Sequence, residues 1–145
     1  KNRALKEDSP AEAIQLNDGT IITSKTSELL GASAALLLNA LKHLAGINHS
    51  VHIIPASTIE PIQMTKVNYL HGQNPRLHTD EVLVALSMLS STEENAKKAL
   101  AQLPQLAGCQ VHTTVMLSEV DAKIFKKLGC DVTSEPVRKK YKIKY

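Results

Sequence analysis

Aromatic residues are scarce in this sequence. Phe, Tyr and Trp together make up 3% of the 145 residues and Trp is absent, although 43% of the residues are hydrophobic. The core must therefore be built from Leu, Ile, Val and Ala, and little surface is offered for stacking bases or sugars. A domain of this length buries roughly 70% of the surface that its unfolded chain exposes, so we expect one domain with its own core.

Long apolar runs and a disulfide framework are lacking as well. The most apolar run, 29–41, is too short to span a membrane and contains Ser33 and Asn39. The two cysteines, Cys109 and Cys130, stand far apart, and the sequence has no signal-peptide pattern. We therefore expect a soluble, cytoplasmic protein that has no membrane partner.

Positive charge is concentrated near the last residue. The formal net charge is +3, and five positive charges without an acid fall in the segment 138–145: Arg138, Lys139, Lys140, Lys142 and Lys144. Subtracting these five charges leaves −2 for the rest of the chain. Such a distribution does not indicate a nucleic-acid-binding face, and we interpret 138–145 as a solvated basic tail.

Strand and helix patterns alternate along the chain. Short β-branched or apolar runs predict strands at 20–23, 51–54, 111–117 and 131–134. Capping residues and periodic apolar residues predict helices from Thr26 or Ser27 to 45, from 57 to about 72, from 79 to 89, from 91 to about 103, and from 118 to 128. The range 1–17 is interpreted as a linker or the end of a preceding element, and 18–137 as a single α/β domain.

Two stretches of the sequence share one plan. The first is Leu44-Ala45-Gly46 with Val51-His52 and Ser57, and the second is Leu106-Ala107-Gly108 with Val111-His112 and Ser118. Each reads as a helix end, a strand, a cap and a new helix. The repetition predicts two echoed α-β-α units with a helical insertion between them, and thus a Rossmann-like layered domain whose mostly parallel sheet is covered by helices.

The turn that begins at Gly19 has nearly the spacing of a phosphate-binding loop. Four residues separate Gly19 from Ser24-Lys25-Thr26, but Ser24 stands where the second glycine should be. Because 21–23 favours an extended strand, we do not predict a nucleotide-hydrolysing loop. Lys25, Thr26 and Ser27 are nevertheless candidates for binding an anion, since we expect them at a helix start after a strand. Plain helix capping is the alternative.

A second polar segment, 74–81, combines an amide, a guanidinium, an imidazole and two carboxylates. Asn74 and Arg76 are candidate ligand-binding residues, because a guanidinium can clamp a carboxylate or phosphate. His78 and Asp80 are candidate catalytic residues, with Asp80 orienting a proton-transferring His78 or holding a metal. The alternative is structural: Thr79 caps the helix, the acids complement its dipole, and Arg76 pairs with one of them.

The remaining histidines and the cysteines predict no further site. His49, His52, His78 and His112 lack the spacing of a structural zinc site, so no metal is predicted, and no cofactor can be named. Cys109 and Cys130 each follow a helix-ending glycine, where we expect them to act as small apolar plugs.

Several of these motifs occur together, in the same order, in a known family. They are Lys25-Thr26-Ser27, Leu30-Gly31-Ala32, the run 38–42, the segment 74–82, Gly108-Cys109, His112 and Thr133-Ser134-Glu135-Pro136. From about Asp18 to Val137 the chain resembles the C-terminal domain of the bacterial uncharacterised protein family 0371, also called domain-of-unknown-function family 1846. A glycine is usual in that family where Ser24 stands here.

The resemblance implies a longer cytosolic protein with another α/β domain before this one, and a biochemical role that is not established. Two hypotheses follow. In the first, the domain contributes part of a cleft for an anionic, phosphate-type small molecule; whether it is an enzyme stays open. In the second, it is a packing or oligomerisation module, because the small residues at 31–35 permit close helix contact. Its partners would be the preceding domain of the same protein or a second copy.

Overall fold

The structure, a computed structural model, describes residues 12–134. These residues form four strands and five α-helices. In chain order they are β1 (Glu12–Gln15), β2 (Ile21–Ser24), α1 (Ala32–Leu44), α2 (Ala56–Met64), α3 (Thr79–Leu89), α4 (Glu94–Leu100), β3 (Gln110–Thr113), α5 (Glu119–Lys127) and β4 (Asp131–Ser134). A π-helical turn, Thr65–Tyr69, continues α2, and a 3₁₀ turn, Leu103–Leu106, follows α4.

The four strands form one mixed sheet in the order β2-β1-β3-β4. Strand β1 pairs antiparallel with both β2 and β3, and only β3 and β4 are parallel. The α/β class is confirmed, but the prediction of a mostly parallel sheet is wrong, so the Rossmann-like description holds only in part. Strand β1 causes the difference, and the sequence analysis missed it because its residues fall in the range 1–17 assigned to a linker or a preceding element.

A tight turn between β1 and β2 explains their antiparallel pairing. The Leu16 amide donates to the Thr20 carbonyl at 2.8 Å, and Gly19 adopts a φ of +92° that favours glycine. The Asp18 carboxylate accepts the Thr20 amide at 2.9 Å. Turn residues of this kind join neighbouring antiparallel strands without a crossover helix, so the chain reverses here into a hairpin.

The predicted strand at 51–54 is also wrong, and with it the first of the two echoed units. These residues form a loop in which Ile53 and Ile54 are 6% and 5% exposed. Their burial explains the apolar run without any sheet pairing. The second unit is confirmed in its elements: the helical turn Leu103–Leu106, β3, the Ser118 cap and α5 all form, although β3 ends at Thr113 and not at Leu117.

The helices pack against one face of the sheet. Ile14 and Val111 on that face are fully buried, whereas the intervening Gln15 and His112 on the opposite face are exposed. Helix α1 packs on β1 and β2, α5 packs on β4, and α3 contacts α1, α4 and α5. The helices and the sheet therefore form two layers with an aliphatic core between them. Phe125 is the one buried aromatic residue among those described.

Candidate functional site

A cavity of about 680 Å³ lies between β2, α1, the loop 45–55 and α2. Small-ligand sites typically have volumes of about 300–1,000 Å³. Buried aliphatic side chains form the floor of the cavity, and exposed polar side chains surround its mouth. The lining residues are Thr23, Ser24, Lys25, Ser27, Leu29, Leu30, Ala35, Leu38, Asn39, Lys42, His49, His52, Ile53, Ile54, Pro55, Ala56 and Ile59.

Lys42 of α1 carries a positive charge in the wall of this cavity. The residue is 8% exposed, and its Nζ donates to the carbonyl oxygens of His49 at 2.8 Å and Val51 at 2.9 Å. Burial lowers the pKa of the ammonium group. Across 12–134 no carboxylate is found in an ion pair with Lys42. The two carbonyl dipoles hold the ammonium in place but leave its net charge uncompensated.

Lys25 and Ser27 line the mouth of the cavity, as part of the predicted anion-binding turn, whereas Thr26 is exposed outside the lining. Their expected position at a helix start is wrong, because α1 begins at Ala32 after the extended Gly31. Ser27 instead closes a small turn: its Oγ accepts the amides of Leu29 and Leu30 at 3.3 and 3.1 Å. Those amides are therefore not presented to an anion.

The polar segment 74–81 touches this turn but does not line the cavity. The Nε of Arg76 donates to the carbonyl oxygen of Ser27, and the Leu77 amide donates to the Leu29 carbonyl at 3.0 Å. The Asn74 side chain accepts the Arg76 amide at 3.0 Å. The two predicted ligand-binding segments are thus neighbours, and Arg76 connects them through the main chain of the turn.

His78 is paired with a different acid from the one predicted. Its Nδ1 lies 3.5 Å from Oδ2 of Asp121 in α5, while the Asp80 carboxylate accepts the adjacent Glu81 amide at 2.8 Å. The pairing of His78 with Asp80 is therefore wrong. His78 precedes the first residue of α3, and Asp80 lies on the exposed side of the first turn, so the two side chains diverge.

Asp80 and Glu81 lie in the first turn of α3, as the structural alternative expected, but the N-cap is His78 and not Thr79. The His78 amide donates to the Glu81 carboxylate at 2.8 Å, which is one half of a capping box. Lys66 Nζ donates to the same Glu81 oxygen at 2.9 Å and to the Arg76 carbonyl at 2.7 Å. The polar groups of this segment thus form hydrogen bonds within the protein and stabilise the start of α3.

Two carboxylates are buried at the edge where β2 and β3 end. Glu12 is 4% exposed, and its oxygens accept the Ser33 hydroxyl at 2.7 and 2.9 Å. Asp121 accepts the Thr79 hydroxyl at 2.6 Å and the Thr79 amide at 2.9 Å. The pKa of Glu12 is raised from 4.5 to about 7: burial is the largest cause, the Ser33 hydroxyl opposes it, and the charge of Asp121 adds to it.

The cysteines are buried free thiols, as expected for apolar plugs. Cys109 and Cys130 are 1% and 5% exposed. Burial raises the pKa of the Cys130 thiol to about 12 and also raises that of Cys109. Neither group is therefore a thiolate nucleophile at neutral pH.

No metal or membrane site emerges from the described part of the chain. Within 12–134, no group of three or more His, Cys, Asp or Glu side chains is arranged to hold a metal ion. None of the helices formed by these residues is both long and apolar enough to cross a bilayer.

The sequence analysis missed Lys42, Glu12 and Asp121. Lys42 was recognisable as a cation within an otherwise apolar helical run, and such a residue must either reach solvent or find buried acceptors. Glu12 lies in the range 1–17, which was interpreted as a linker or the end of a preceding element. Asp121 was seen only as part of a capping pattern, because its contact with α3 depends on how two distant helices pack.

Comparison with known proteins places the chain in a family. Residues 1–143 match the family described as "Domain of unknown function DUF1846, C-terminal". A UPF0371 protein of Corynebacterium urealyticum is 61% identical over 127 residues, covering 88% of this chain and 26% of its own length. A UPF0371 protein of Corynebacterium aurimucosum is 57% identical over 137 residues, covering 94% of this chain and 28% of its own length.

A more distant relative, a UPF0371 protein of Streptococcus pyogenes, is 43% identical over 141 residues, which is 97% of this chain and 28% of its own length. The chain thus spans little more than a quarter of the length of these relatives. The resemblance noted in the sequence is confirmed: the chain belongs to the DUF1846 family, whose members are also named UPF0371 proteins, and corresponds to the C-terminal domain.

Proposed function

We propose that this domain contributes a cleft for an anionic, phosphate-type small ligand in a larger cytoplasmic protein. The observation that carries the proposal is the buried ammonium group of Lys42 in the wall of a cavity of about 680 Å³. An ammonium group that is held by two carbonyl oxygens and unpaired with a carboxylate is well suited to attract an anion.

The predicted ligand-binding residues have different roles in this proposal. Lys25 lines the mouth of the cavity and would contact the anion together with Lys42, whereas Ser27, whose Oγ is bound within its own turn, would shape the mouth. Arg76 would act indirectly, because its donation to the Ser27 carbonyl fixes the turn that carries Lys25. Thr26 would belong to the same turn without contacting the ligand, and Asn74 would hold the loop that carries Arg76. A proton-transfer role for His78 with Asp80 is not part of the proposal.

A thermal-shift experiment on the full-length protein tests the cleft. Inorganic phosphate, sugar phosphates and nucleotides are added to the wild type, to Lys42→Met and to Lys98→Met, an exposed lysine on α4. A ligand at a hundred times its dissociation constant stabilises the folded state by about 2.7 kcal/mol. We expect stabilisation in the wild type and the Lys98 variant and none in the Lys42 variant. Absence of stabilisation by every anion would contradict the proposal.

The packing or oligomerisation module remains the second proposal. It is supported by Val84 and Met88, which are 60% and 73% exposed and lie four residues apart on one side of α3. Tyr69 and Leu70, at the end of the π-helical turn, are 69% and 72% exposed. If these side chains mediate association, Val84→Lys with Met88→Lys should reduce the molecular mass measured by light scattering, without loss of helix content.

A further inference from the structure

We infer that the ligand of this cavity is an amphipathic anion, with an aliphatic body on the cavity floor and an anionic head at Lys42. The inference rests on the proposed function, because it names the class of ligand for the same cavity. It excludes nucleotides and sugar phosphates as the preferred ligands.

The floor of the cavity is aliphatic. Leu38, Ile53, Ile54 and Ile59 are each 6% exposed or less, and Leu30 and Ala35 complete the surface. None of the described residues that line the cavity is Phe, Tyr or Trp, and the imidazoles of His49 and His52 are exposed at the mouth. A nucleobase would therefore find no ring to stack on inside the cavity, whereas an alkyl chain would be transferred from water to an apolar surface.

Three polar side chains of the lining, Ser24, Ser27 and Asn39, already form hydrogen bonds within the protein. Ser24 Oγ donates to the Ala32 carbonyl at 2.7 Å, and Asn39 Nδ2 donates to the Thr23 carbonyl at 3.1 Å. Ser27 Oγ accepts two amides of its own turn. A sugar or base placed here would lose hydrogen bonds to water without equivalent replacements, at a cost of about 1–3 kcal/mol for each unsatisfied group. The cavity thus discriminates against polar ligand bodies.

Lys42 supplies the one buried charge of the described lining. Two of its three protons are directed at the carbonyls of His49 and Val51, so one donor is left for a ligand oxygen. A single anionic group, whether carboxylate or phosphate, matches this arrangement. An uncharged alkyl ligand would leave the ammonium without a counter-charge.

Isothermal titration calorimetry of the full-length protein tests the inference with a homologous series: inorganic phosphate, then butyl, hexyl and octyl phosphate, with the matching carboxylates, octanol, adenosine monophosphate and glucose 6-phosphate. We expect the dissociation constant to fall about fourfold per added methylene until the floor is covered. Carboxylates should follow the same trend. Octanol, the nucleotide and the sugar phosphate should bind no better than inorganic phosphate.

Two variants and a control assign the binding to this cavity. Lys42→Met should weaken octyl phosphate at least tenfold, and Lys98→Met should leave it unchanged. Ala35→Leu, which fills part of the floor, should remove the gain from longer chains while leaving inorganic phosphate binding intact. Because Ala35→Leu keeps Lys42 and its carbonyl contacts, it tests the inference even if Lys42→Met does not fold.

The outcomes separate the inference from the proposed function. If phosphate or sugar phosphates bind in a Lys42-dependent manner and chain length adds nothing, the amphipathic class is overturned and the anion cleft stands. If no member of the series binds, both are overturned. If octanol binds as tightly as octyl phosphate, the anionic head is overturned.

Discussion

The two stretches with the same sequence plan, 44–57 and 106–118, fold differently. In both, a glycine with positive φ ends a helical segment, at +72° for Gly46 and +89° for Gly108. Val111 and His112 then enter β3, which is hydrogen-bonded on both sides to β1 and β4. Val51 and His52 enter a loop, whose carbonyl groups are bound by Lys42 instead.

The comparison teaches that a local β pattern needs neighbouring strands to become a strand. The second stretch finds partners because β1 and β4 lie beside it in the sheet. The first lies beyond the sheet edge formed by β2, where a buried lysine satisfies its main chain and its isoleucines still reach the core. The loop also contributes to the candidate site, because its His49 and Val51 carbonyls accept hydrogen bonds from Lys42 and its residues line the cavity.

The largest effect that we expect compares Gly46 with Gly129, another glycine of positive φ, which lies just before β4. A Cβ on Gly129, whose φ is +93°, would lie 2.9 Å from the Ala107 Cα, whereas one on Gly46 would meet nothing within 4 Å. Gly129→Ala should therefore lower the free energy of unfolding by about 4 kcal/mol, from left-handed strain and overpacking together. Gly46→Ala should cost about 1 kcal/mol. Urea denaturation measures both, and equal costs would contradict the comparison.

Raising the pH should destabilise the sheet where β1 pairs with β3 of the second stretch. The pKa of Glu12 is about 7 in the folded protein, against an ordinary value of 4.5. The folded state thus keeps a proton that the unfolded chain has lost, so the free energy of unfolding decreases as pH rises from about 4.5 through about 7. The loss should be roughly 3 kcal/mol.

Two substitutions isolate this carboxylate. Glu12→Gln should flatten the pH dependence, and the exposed Glu60→Gln should retain it. Hydrogen exchange at increasing pH, corrected for the intrinsic rate, should show larger loss of protection around β1 and β3 than in the loop 47–55. A profile of Glu12→Gln identical to that of the wild type would refute the assignment.

The smallest effect compares the two serines of the shared plan. Ser118 caps α5, and its Oγ accepts the Asp121 amide at 3.1 Å, whereas α2 begins at Ala56, so that Ser57 lies inside its first turn. Ser118→Ala should cost about 1 kcal/mol of unfolding free energy. Ser57→Ala should stay within about 0.5 kcal/mol of the wild type. Thermal denaturation distinguishes the two variants, and a similar loss in both would show that Ser57 also caps.

Much of the local structure was predictable because it depends on short-range physics. Helix α3 and strand β4 have the predicted limits, and the cysteines are buried behind glycine caps. Strand β1 was also within reach, since Ile14 and Leu16 alternate with polar residues before a turn typical of hairpins. The start of α1 was not, because the small turn at Ser27 gains its stability from Arg76 and Leu77, which are distant in sequence.

The candidate site was predictable only in part. Lys25 and Ser27 line the cavity, but its central cation, Lys42, was hidden in an apolar helix, and the acid that faces His78 belongs to α5. The residues 138–145 and the predicted end of the domain at 137 lie outside the described residues, and the limits 18–137 of the domain stay a prediction.

The aliphatic composition of the core, the Ser118 cap of α5, the turns with left-handed glycines and membership of the DUF1846 family all follow from the sequence alone. These features depend on residues close together in the chain or on motifs that occur in relatives. Only the tertiary structure decided the strand order, the loop at 51–54, the acid beside His78 and the burial of Lys42 and Glu12. Each of these depends on which distant group forms a hydrogen bond with a buried donor or acceptor. That pairing is established only when the helices pack on the sheet.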